Sequence, residues 1–538
     1  MKQETYLKKS IDQIPRVLSL EDRDFSSPTF GCFDRKYWSW KFKDFPDATL
    51  QRNVYPLSLV YSIDFKGNEY FKNKQVEKWI KAGILYWVSI QHKNGSFDQA
   101  FPNEYSFGAT AFTLYPMIKS FLIVKNEFSS EEKKGILSAF RRAAGFLVDN
   151  NEVHGFISNH LSGAALSLDI AGEILKEEKY IKRSRELINL VLEKQSEEGW
   201  FLEYEGPDPG YETLGLSYLA KYYQRNKNQE VLRALKKSIE FLSYFVHPDG
   251  TIGGKYGSRN TELFYPAGLE IIKNGIPLSV KILEKLKKSI GLSFVDEENL
   301  SPLLESYLEA YINSERMEGG GALLPCEEEK ETKFFKKSKI FIQGNSNYYL
   351  ICNAAKGGVL KIFDKEKIVF GDDGFLGRVK KDLLTTQILN PKAKVSIGEN
   401  RIEIEVPFMK SPRDVVTPLK FIALRVINLT VCKNIYLGNF IKKTLIRMLI
   451  TKKKAYPVWL KREIVFGERE IEIRDILTKE KNIKFKSLDY GKSFFSIHMG
   501  SAGYFNFSQL EEKRKLNPLD LEIFNKKNKV EIINKINF

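Results

Sequence analysis

The chain has 538 residues, which is enough for two or three domains with a large hydrophobic core. Its hydrophobic content of 43% excludes a disordered chain, and the absence of an apolar run of about 18 residues argues against membrane insertion. The formal net charge of +16 predicts an anionic partner, for which acidic polysaccharide, nucleic acid and a lipid headgroup surface are the general classes.

Cysteine usage and the N-terminal sequence bear on metal sites and on location. The four cysteines (Cys32, Cys326, Cys352 and Cys432) lack CxxC spacing, so neither a zinc knot nor a disulfide framework is indicated, and we expect no metal and no cofactor. The N-terminal sequence MKQETYLKKSIDQIP lacks the apolar core of a signal peptide. We therefore expect a cytoplasmic protein, or a periplasmic or secreted one whose signal has been removed.

Residues 1–53 are rich in aromatic and charged side chains, as in the stretch FDRKYWSW at 33–40. This segment is too short to form a core of its own. We expect it to be an arm that packs on a larger body.

Residues 54–320 repeat one pattern, in which a helix is followed by a glycine turn, a polar loop and a second helix with small residues. The turns are NGSF at 94–97, HGF at 154–156, EGWF at 198–201 and DGTI at 249–252. Helices are predicted to start near Glu104, Asn159, Tyr211 and Asn260, about fifty residues apart, with outer helices at 131–148, 179–195 and 228–245. This period predicts stacked helical hairpins, that is, an incomplete (α/α) toroid of five or six hairpins.

In such a toroid the inner helices run parallel, so their N-termini meet at one mouth. From His160, an apolar face continues through Ala164, Leu168, Ala171 and Leu175, and Ser158 is the expected N-cap. Tyr211 opens the next inner helix after Asp208-Pro209-Gly210. The mouth, lined by positive helix ends, is therefore predicted to gather six residues: Glu104, Asn159, His160, Tyr211, Arg259 and Asn260.

After about residue 335 the pattern changes to the period of two that is typical of strands. The clearest predicted strands are 339–343, 358–363, 401–406 and 470–474. They predict an antiparallel β-sandwich over 335–538, with the glycine-rich stretch 317–321 as the boundary. The predicted fold class is thus multidomain, α then β.

Four stretches carry a resemblance to a known family: NGSFDQAFPNEYSFGATAF, SNHLSGAALSLDIAGEIL, PDPGYETLGLSYLA and GGKYGSRNTELFYPAGLE, together spanning about 94–270. With the β-sandwich that follows, they resemble polysaccharide lyases of the heparinase II/III and alginate-lyase type. Members of that group often place a further histidine, and sometimes a metal, in the sandwich. His498 is the one histidine in the corresponding half of this sequence.

The resemblance implies β-elimination on a uronate-containing polysaccharide. Asn159 would hydrogen-bond the uronate carboxylate and stabilise the enolate-like intermediate. Tyr211 would protonate the leaving oxygen and, for syn geometry, take the C5 proton, whereas His160 would be the base for the opposite epimer. A tyrosine with an ordinary pKa near 10 is a poor base, so a cationic neighbour is required, and Arg259 is the candidate.

Five residues are predicted to bind the substrate. Arg259 suits a bidentate grip on a carboxylate, and Glu104 and Gln99 are expected to contact sugar hydroxyls. The five are Arg259, Asn260, Tyr256, Glu104 and Gln99. The expected partner is an anionic polysaccharide or oligosaccharide, whereas no nucleic-acid-binding module is recognisable and the oligomeric state stays open.

Three alternatives remain open at this stage. A glycoside hydrolase on the same toroid would need two facing carboxylates, for which Glu104 with Glu212 or Asp208 are the candidates. A carbohydrate-binding protein without activity would use the same fold. The turns QHKNGSF at 91–97 and QSEEGW at 195–200 also resemble those of terpene-cyclase toroids. No acidic protonation motif accompanies these turns, since the Asp372-Asp373 pair falls in the strand region.

Overall fold

The computed structural model describes most of the chain. It describes residues 4–286, 289, 291–314, 323–411, 415–446, 453–491, 494–496, 500, 503–505, 510 and 518–538. The predicted boundary at 317–321 and His498 lie outside the described residues.

The N-terminal part is helical. The helices run in chain order as α1 (Glu4–Ile11), α2 (Ile14–Leu20), α3 (Arg35–Trp38), α4 (Val54–Ser62), α5 (Lys74–Ser89), α6 (Phe107–Val124), α7 (Ser130–Asp149), α8 (Ser158–Leu175), α9 (Glu178–Glu193), α10 (Pro209–Asn226), α11 (Gln229–Ser243), α12 (Ala267–Ile272), α13 (Leu278–Lys285) and α14 (Glu297–Asn313). The predicted outer helices correspond to α7, α9 and α11.

Six inner helices form a closed ring in the order α4, α6, α8, α10, α12 and α14, and α14 packs back against α4. The outer helices α5, α7, α9, α11 and α13 each pack on a neighbouring inner helix, and α1 packs on α14. The predicted (α/α) toroid is confirmed, and the N-terminal segment contributes α1 to its outside. The stretch Phe107–Glu127, which contains α6, is long and apolar enough to span a membrane, but it is mostly buried as an inner helix of the ring.

The repeated glycine turns have a structural role. Gln91 donates from Nε2 to the carbonyls of Gly95 and Ala139, and Gln195 does the same to those of Gly199 and Ala234. A Cβ at Gly95, where φ is +90°, would lie 2.0 Å from the Arg142 carbonyl oxygen. Each turn therefore packs directly on the backbone of the next outer helix, which requires glycine.

Buried ion pairs occupy the inside of the ring. Glu305 on α14 accepts from Arg52 at 3.2 Å and from Lys221 of α10 at 2.9 Å, and Lys221 also pairs with Glu309. Arg52 lies over the Phe112 ring, 5.4 Å from its centroid. Since all four charged groups are buried and paired, removing one would leave an uncompensated charge.

The described residues of the C-terminal part form two antiparallel sheets. The strands are β1 (Lys330–Phe335), β2 (Ile340–Asn345), β3 (Tyr349–Asn353), β4 (Val359–Phe363), β5 (Ile368–Asp372), β6 (Phe375–Val379), β7 (Asp382–Thr385), β8 (Lys394–Ile397), β9 (Arg401–Lys410), β10 (Ala455–Phe466), β11 (Glu470–Lys479), β12 (Phe485–Tyr490) and β13 (Lys529–Asn537). One sheet has the order β1-β2-β3-β4-β5. The other has the order β12-β6-β7-β9-β10-β11-β13, with β8 paired to β9.

The five-stranded sheet lies between the toroid and the second sheet. Ile340, Ile342 and Ile351 join the core of the toroid, whereas Phe341 and Leu350, the alternating neighbours, join the core of the sandwich. Alternation places successive side chains on opposite faces of a strand, and both faces of this sheet are covered. The predicted order of α toroid then β-sandwich is confirmed.

The sequence patterns missed helices between β9 and β10. Two helices, α15 (Pro418–Leu429) and α16 (Ile435–Ile446), interrupt the predicted sandwich, and a further helix, α17 (Pro518–Lys527), precedes β13. We refer to residues 415–446 as the helical insertion. Three polar contacts attach it to the loop before α6: Asn103 Nδ2 to the Asn428 carbonyl, Tyr105 OH to the Lys433 carbonyl, and Lys442 Nζ to the Glu104 carbonyl.

Candidate active site

The first turn of α8 is capped by a neighbouring loop. The predicted N-cap Ser158 is instead the first helical residue, and its amide and hydroxyl both donate to the Leu202 carbonyl. The next amide, that of Asn159, donates to Glu203 Oε1 at 3.0 Å. A carboxylate from a distant part of the chain thus accepts from an otherwise unpaired helix N–H group.

The side chain of Asn159 is held by the same carboxylate. Asn159 Nδ2 donates to Glu203 Oε2 at 2.7 Å, and the residue is buried. Its Oδ1 is also buried and has no hydrogen-bond partner among the described residues. A buried polar atom without a partner costs roughly 1–3 kcal/mol, so this oxygen marks a position suited to a ligand donor or a water.

His160 is oriented by a second buried carboxylate. Its Nδ1 lies 2.6 Å from Glu152 Oε2, and His154 Nδ1 lies 2.7 Å from Glu152 Oε1. Burial by itself would raise the pKa of Glu152, but the hydrogen bonds from His154 and His160 outweigh it and hold that pKa well below the usual range. Glu152 is therefore an acceptor only, so Nδ1 of His160 donates to it and Nε2 is the ring nitrogen that Glu152 does not engage.

Tyr211 lies in the first turn of α10. The helix is capped by Asp208, whose Oδ1 accepts from the Tyr211 amide at 3.0 Å. The Tyr211 side chain is half-buried, and the guanidinium carbon of Arg259 lies 3.6 Å from its ring centroid. This short distance is that of a close cation–π contact.

Arg259 connects Tyr211 to Asn159. Its Nη1 donates to Glu203 Oε2 at 3.1 Å, and its backbone amide donates to Asp208 Oδ2 at 2.7 Å. Burial would lower the pKa of Arg259, but Tyr211 and Glu203 raise it further above its usual value, so the guanidinium is charged. The structure therefore brings Asn159, Tyr211 and Arg259 together around Glu203.

Burial dominates the electrostatics of the two carboxylates at the centre. It raises the pKa of Glu203, against the opposing effects of Arg259, Asn159 and His160. It also raises the pKa of Asp208, although the amides of Tyr211, Arg259 and Thr261 donate to it. His160 follows Asn159 directly in the first turn of α8, so it lies beside this cluster.

Three of the predicted substrate-binding residues have other partners, and a fourth is exposed. Tyr256 is fully buried, and its hydroxyl lies 2.8 Å from His247 Nε2. The Asn260 side chain is buried and accepts from Lys356 Nζ. The Glu104 carboxylate accepts from the amides of Gln99 and Ala100, at 2.9 and 2.6 Å. Gln99 is exposed on that loop.

Two predicted helix starts were wrong. Inner helix α6 begins at Phe107 with Ser106 as its cap, and α12 begins at Ala267. Asn260 therefore lies in a loop, with φ of +63°, rather than at a helix N-terminus. The loop conformation explains why its side chain points to Lys356.

Glu152, Glu203 and Lys442 were missed by the sequence patterns. The two glutamates lie in loops, and Glu203 reaches α8 through a bridge that pairs it with Ile157. Asp208 was considered only as a possible hydrolase carboxylate, although an aspartate before Pro-Gly is a recognisable cap signal. Within the described ranges, no group of three His, Cys, Asp or Glu residues is arranged to hold a metal ion.

Comparison with known proteins agrees with this geometry. Residues 50–266 match the family model of the ulvan lyase N-terminal domain. A broad-specificity ulvan lyase of Formosa agariphila is 24% identical over 228 residues, covering 38% of this chain and 34% of that relative. The resemblance to polysaccharide lyases of the heparinase II/III type is confirmed.

Solved structures of polysaccharide lyases share the fold over 89% of this chain. Heparinase III superposes with a TM-score of 0.52 at 13% identity and is covered over 71% of its length. Chondroitin AC lyase of Streptomyces coelicolor, solved with chondroitin sulphate, gives 0.56 at 9% identity over 67% of its length. A Paenibacillus xanthan lyase gives 0.54 at 10% identity over 46% of its length. The heparinase-type architecture of toroid and sandwich thus extends through both parts of this chain.

Proposed function

We propose that the chain is a polysaccharide lyase that cleaves an acidic, uronate-containing polysaccharide by β-elimination. The match to the ulvan lyase N-terminal domain and the shared fold of three polysaccharide lyases support this class of activity. The observation that carries the mechanism is the contact chain from Asn159 through Glu203 and Arg259 to Tyr211.

Asn159 is the proposed donor to the uronate carboxylate. An amide nitrogen has two N–H groups, and Asn159 uses one of them on Glu203. The second can donate to the carboxylate, whose negative charge grows as the C5 proton leaves. Arg259 and the N-termini of α8 and α10 add positive potential at the same place.

Tyr211 and His160 are the proposed acid and base. In the reaction the C5–H and C4–O bonds break and a C4=C5 double bond forms. Tyr211 gives its proton to the leaving oxygen. For syn elimination it starts as the tyrosinate, accepts the C5 proton and passes that same proton to the leaving oxygen. For the opposite C5 epimer of the uronate, Nε2 of His160 accepts the C5 proton, since Nδ1 is hydrogen-bonded to Glu152.

The hydrolase alternative lacks support because its candidate carboxylates serve the backbone. Glu104 accepts from two loop amides, and Glu212 accepts from the Phe201 amide and the Ser238 hydroxyl. Asp208 accepts from Tyr211 and Arg259. The terpene-cyclase alternative also lacks support. The two aspartates considered for it are held in ion pairs, Asp372 with Arg462 and Asp373 with Lys255.

An absorbance screen over acidic polysaccharides tests the proposal. The panel contains ulvan, heparan sulfate, chondroitin sulfate, alginate and xanthan, with starch as a neutral control. A lyase produces an unsaturated product that absorbs in the ultraviolet. New reducing ends without absorbance would instead mean hydrolysis, and binding without either product would mean a carbohydrate-binding protein.

A further inference from the structure

The helical insertion exposes large apolar side chains on both of its helices. On α15, Leu419, Ile422, Val426 and Leu429 recur at steps of three and four residues and are 80%, 57%, 56% and 43% exposed. On α16, Tyr436 and Phe440 are 81% and 70% exposed. A soluble protein rarely exposes a contiguous apolar surface of this kind unless something binds there.

Polar contacts and a few apolar groups, among them Cys432 and Ile435, attach the insertion to the toroid, whereas its large exposed apolar side chains lie outside this contact. Its buried residues include Asn428 and Lys442, and its contacts to the loop before α6 involve backbone carbonyls and polar side chains. A helix on the surface of a soluble domain normally has the opposite orientation, with the apolar face inward. The outward apolar face therefore indicates a partner.

Charge limits what that partner is. The segment 415–446 contains five basic residues and no acidic residue. Three of the lysines, Lys420, Lys433 and Lys443, are exposed beside the apolar residues. A symmetric contact with a second copy would bring this positive surface against itself on a chain of net charge +16. A polysaccharide would match the lysines but not the aliphatic side chains.

We propose that the helical insertion docks on an anionic lipid surface. Amphipathic helices bind membranes with the apolar face at the boundary between headgroups and acyl chains and with lysines on anionic headgroups. Each helix has 12 residues, fewer than the roughly 20 that a membrane-spanning helix needs, so the insertion lies in the interface plane.

Docking in this way would bring the candidate active site near the lipid surface. The insertion contacts Asn103, Glu104 and Tyr105, which lead into inner helix α6. Within the ring, Gly108 at the start of α6 lies against His160, since a Cβ there would be 3.2 Å from the imidazole. An acidic polymer held at a membrane would therefore lie close to the mouth.

Vesicle flotation of the full chain tests the proposal. The vesicles contain phosphatidylcholine alone or phosphatidylcholine mixed with phosphatidylglycerol, at low and high salt. We expect the chain to float with the anionic vesicles only, and less so at high salt. The variant Lys420→Gln with Lys443→Gln should bind about fivefold more weakly for each lysine removed.

Matched variants separate the contribution of the apolar side chains of the insertion to vesicle binding from non-specific hydrophobic adsorption. Ile422→Gln with Val426→Gln should lose at least tenfold in vesicle affinity, whereas Ile533→Gln, an exposed apolar residue of the sandwich, should not change it. All of these side chains are exposed, so thermal unfolding should match that of the wild type. Equal binding to neutral vesicles, or no vesicle binding, would overturn the proposal. A dimer that sedimentation detects and that Ile422→Gln with Val426→Gln abolishes would identify a second copy as the partner instead.

Discussion

Glu203 is the residue on which the candidate active site depends most. It accepts from the amide and the side chain of Asn159 and pairs with Arg259, and it is itself buried. A single carboxylate thus fixes the proposed carboxylate donor and the cation above Tyr211. We regard Glu203 as a positioning residue, since its own oxygens are occupied.

Glu203→Gln should lower turnover without abolishing folding. The new amide would turn a donor toward Asn159 or Arg259, which are donors themselves, so Asn159 loses its orientation. We expect kcat to fall on the order of 10²-fold, as when a preorganised donor is lost, with a smaller change in KM. Stability should fall by roughly 3–5 kcal/mol because Arg259 stays charged and buried.

Glu205→Gln is the matched control for Glu203→Gln. Glu205 is exposed and pairs with Lys453, so its loss should cost at most about 1 kcal/mol and leave kcat unchanged. Steady-state kinetics and denaturant unfolding measure both variants. Equal kinetics for Glu203→Gln and the wild type would show that Glu203 does not position Asn159.

Glu152 predicts a contribution to stability that disappears in acid. Its pKa is held well below the usual range by His154 and His160, against burial, so in the folded state it stays ionised at pH values where the unfolded chain binds the proton. The resulting stabilisation is fully present above the unfolded pKa of about 4.3 and is lost as pH falls through the folded pKa. Below about pH 5, the free energy of unfolding should fall more steeply for the wild type than for Glu152→Gln. Parallel pH profiles would contradict this account.

At the scale of single residues, the sequence predicted the proposed catalytic residues but not the carboxylates that orient them. Asn159, His160 and Tyr211 stand at recognisable helix starts, which is why they were predicted. Glu152 and Glu203 lie in loops and act through contacts across 8 and 44 residues of sequence, which no local pattern reveals. Arg259 was predicted because Tyr211 needs a cationic neighbour, and the structure places it against the Tyr211 ring.

At the scale of elements, Asp208 connects the start of α10 to the loop that contains Arg259. Oδ1 accepts from the Tyr211 amide, and Oδ2 accepts from the amides of Arg259 and Thr261. Gly257 packs so closely that a Cβ there would lie 2.7 Å from Oδ2. The two elements that provide Tyr211 and Arg259 are therefore held by one side chain.

Asp208→Asn should lower activity more than an ordinary cap mutation. Asparagine keeps one acceptor, so either the α10 cap or the Arg259 loop loses its hydrogen bond and faces an amide donor. Asn228→Ala, which removes the cap of surface helix α11, should cost about 1 kcal/mol and leave kcat unchanged. Turnover and thermal unfolding of the two variants test this difference. Equal turnover for both would refute the special role of Asp208.

Sequence periodicity predicted the toroid well but failed for the helical insertion. Outer helices α7, α9 and α11 have strongly one-sided apolar faces, and the strands alternate. Many apolar residues of the insertion face solvent. The apolar pattern of its sequence therefore does not show which side of each helix packs on the rest of the protein. Helix α12 has six residues and was misplaced because a long loop containing Asn260 precedes it.

At the scale of the whole molecule, the net charge of +16 predicts salt-sensitive binding of the substrate. Screening acts beyond roughly 8 Å at an ionic strength of about 0.15 M, so the KM for an acidic polysaccharide should rise with salt. The KM of any neutral substrate that is cleaved should change little. An unchanged affinity for an acidic polymer between low and high salt would contradict the electrostatic account.

The central claim is that Tyr211 is the acid of a β-elimination at the mouth of the toroid. Its most direct test is the turnover of Tyr211→Phe on a confirmed acidic substrate, followed by absorbance of the unsaturated product. Phenylalanine keeps the ring under Arg259 and removes only the hydroxyl, so the variant should fold normally and lose on the order of 10²–10⁴ in kcat. Tyr105→Phe, at the loop before α6, should keep normal turnover. A folded Tyr211→Phe variant with near-normal turnover would contradict the account.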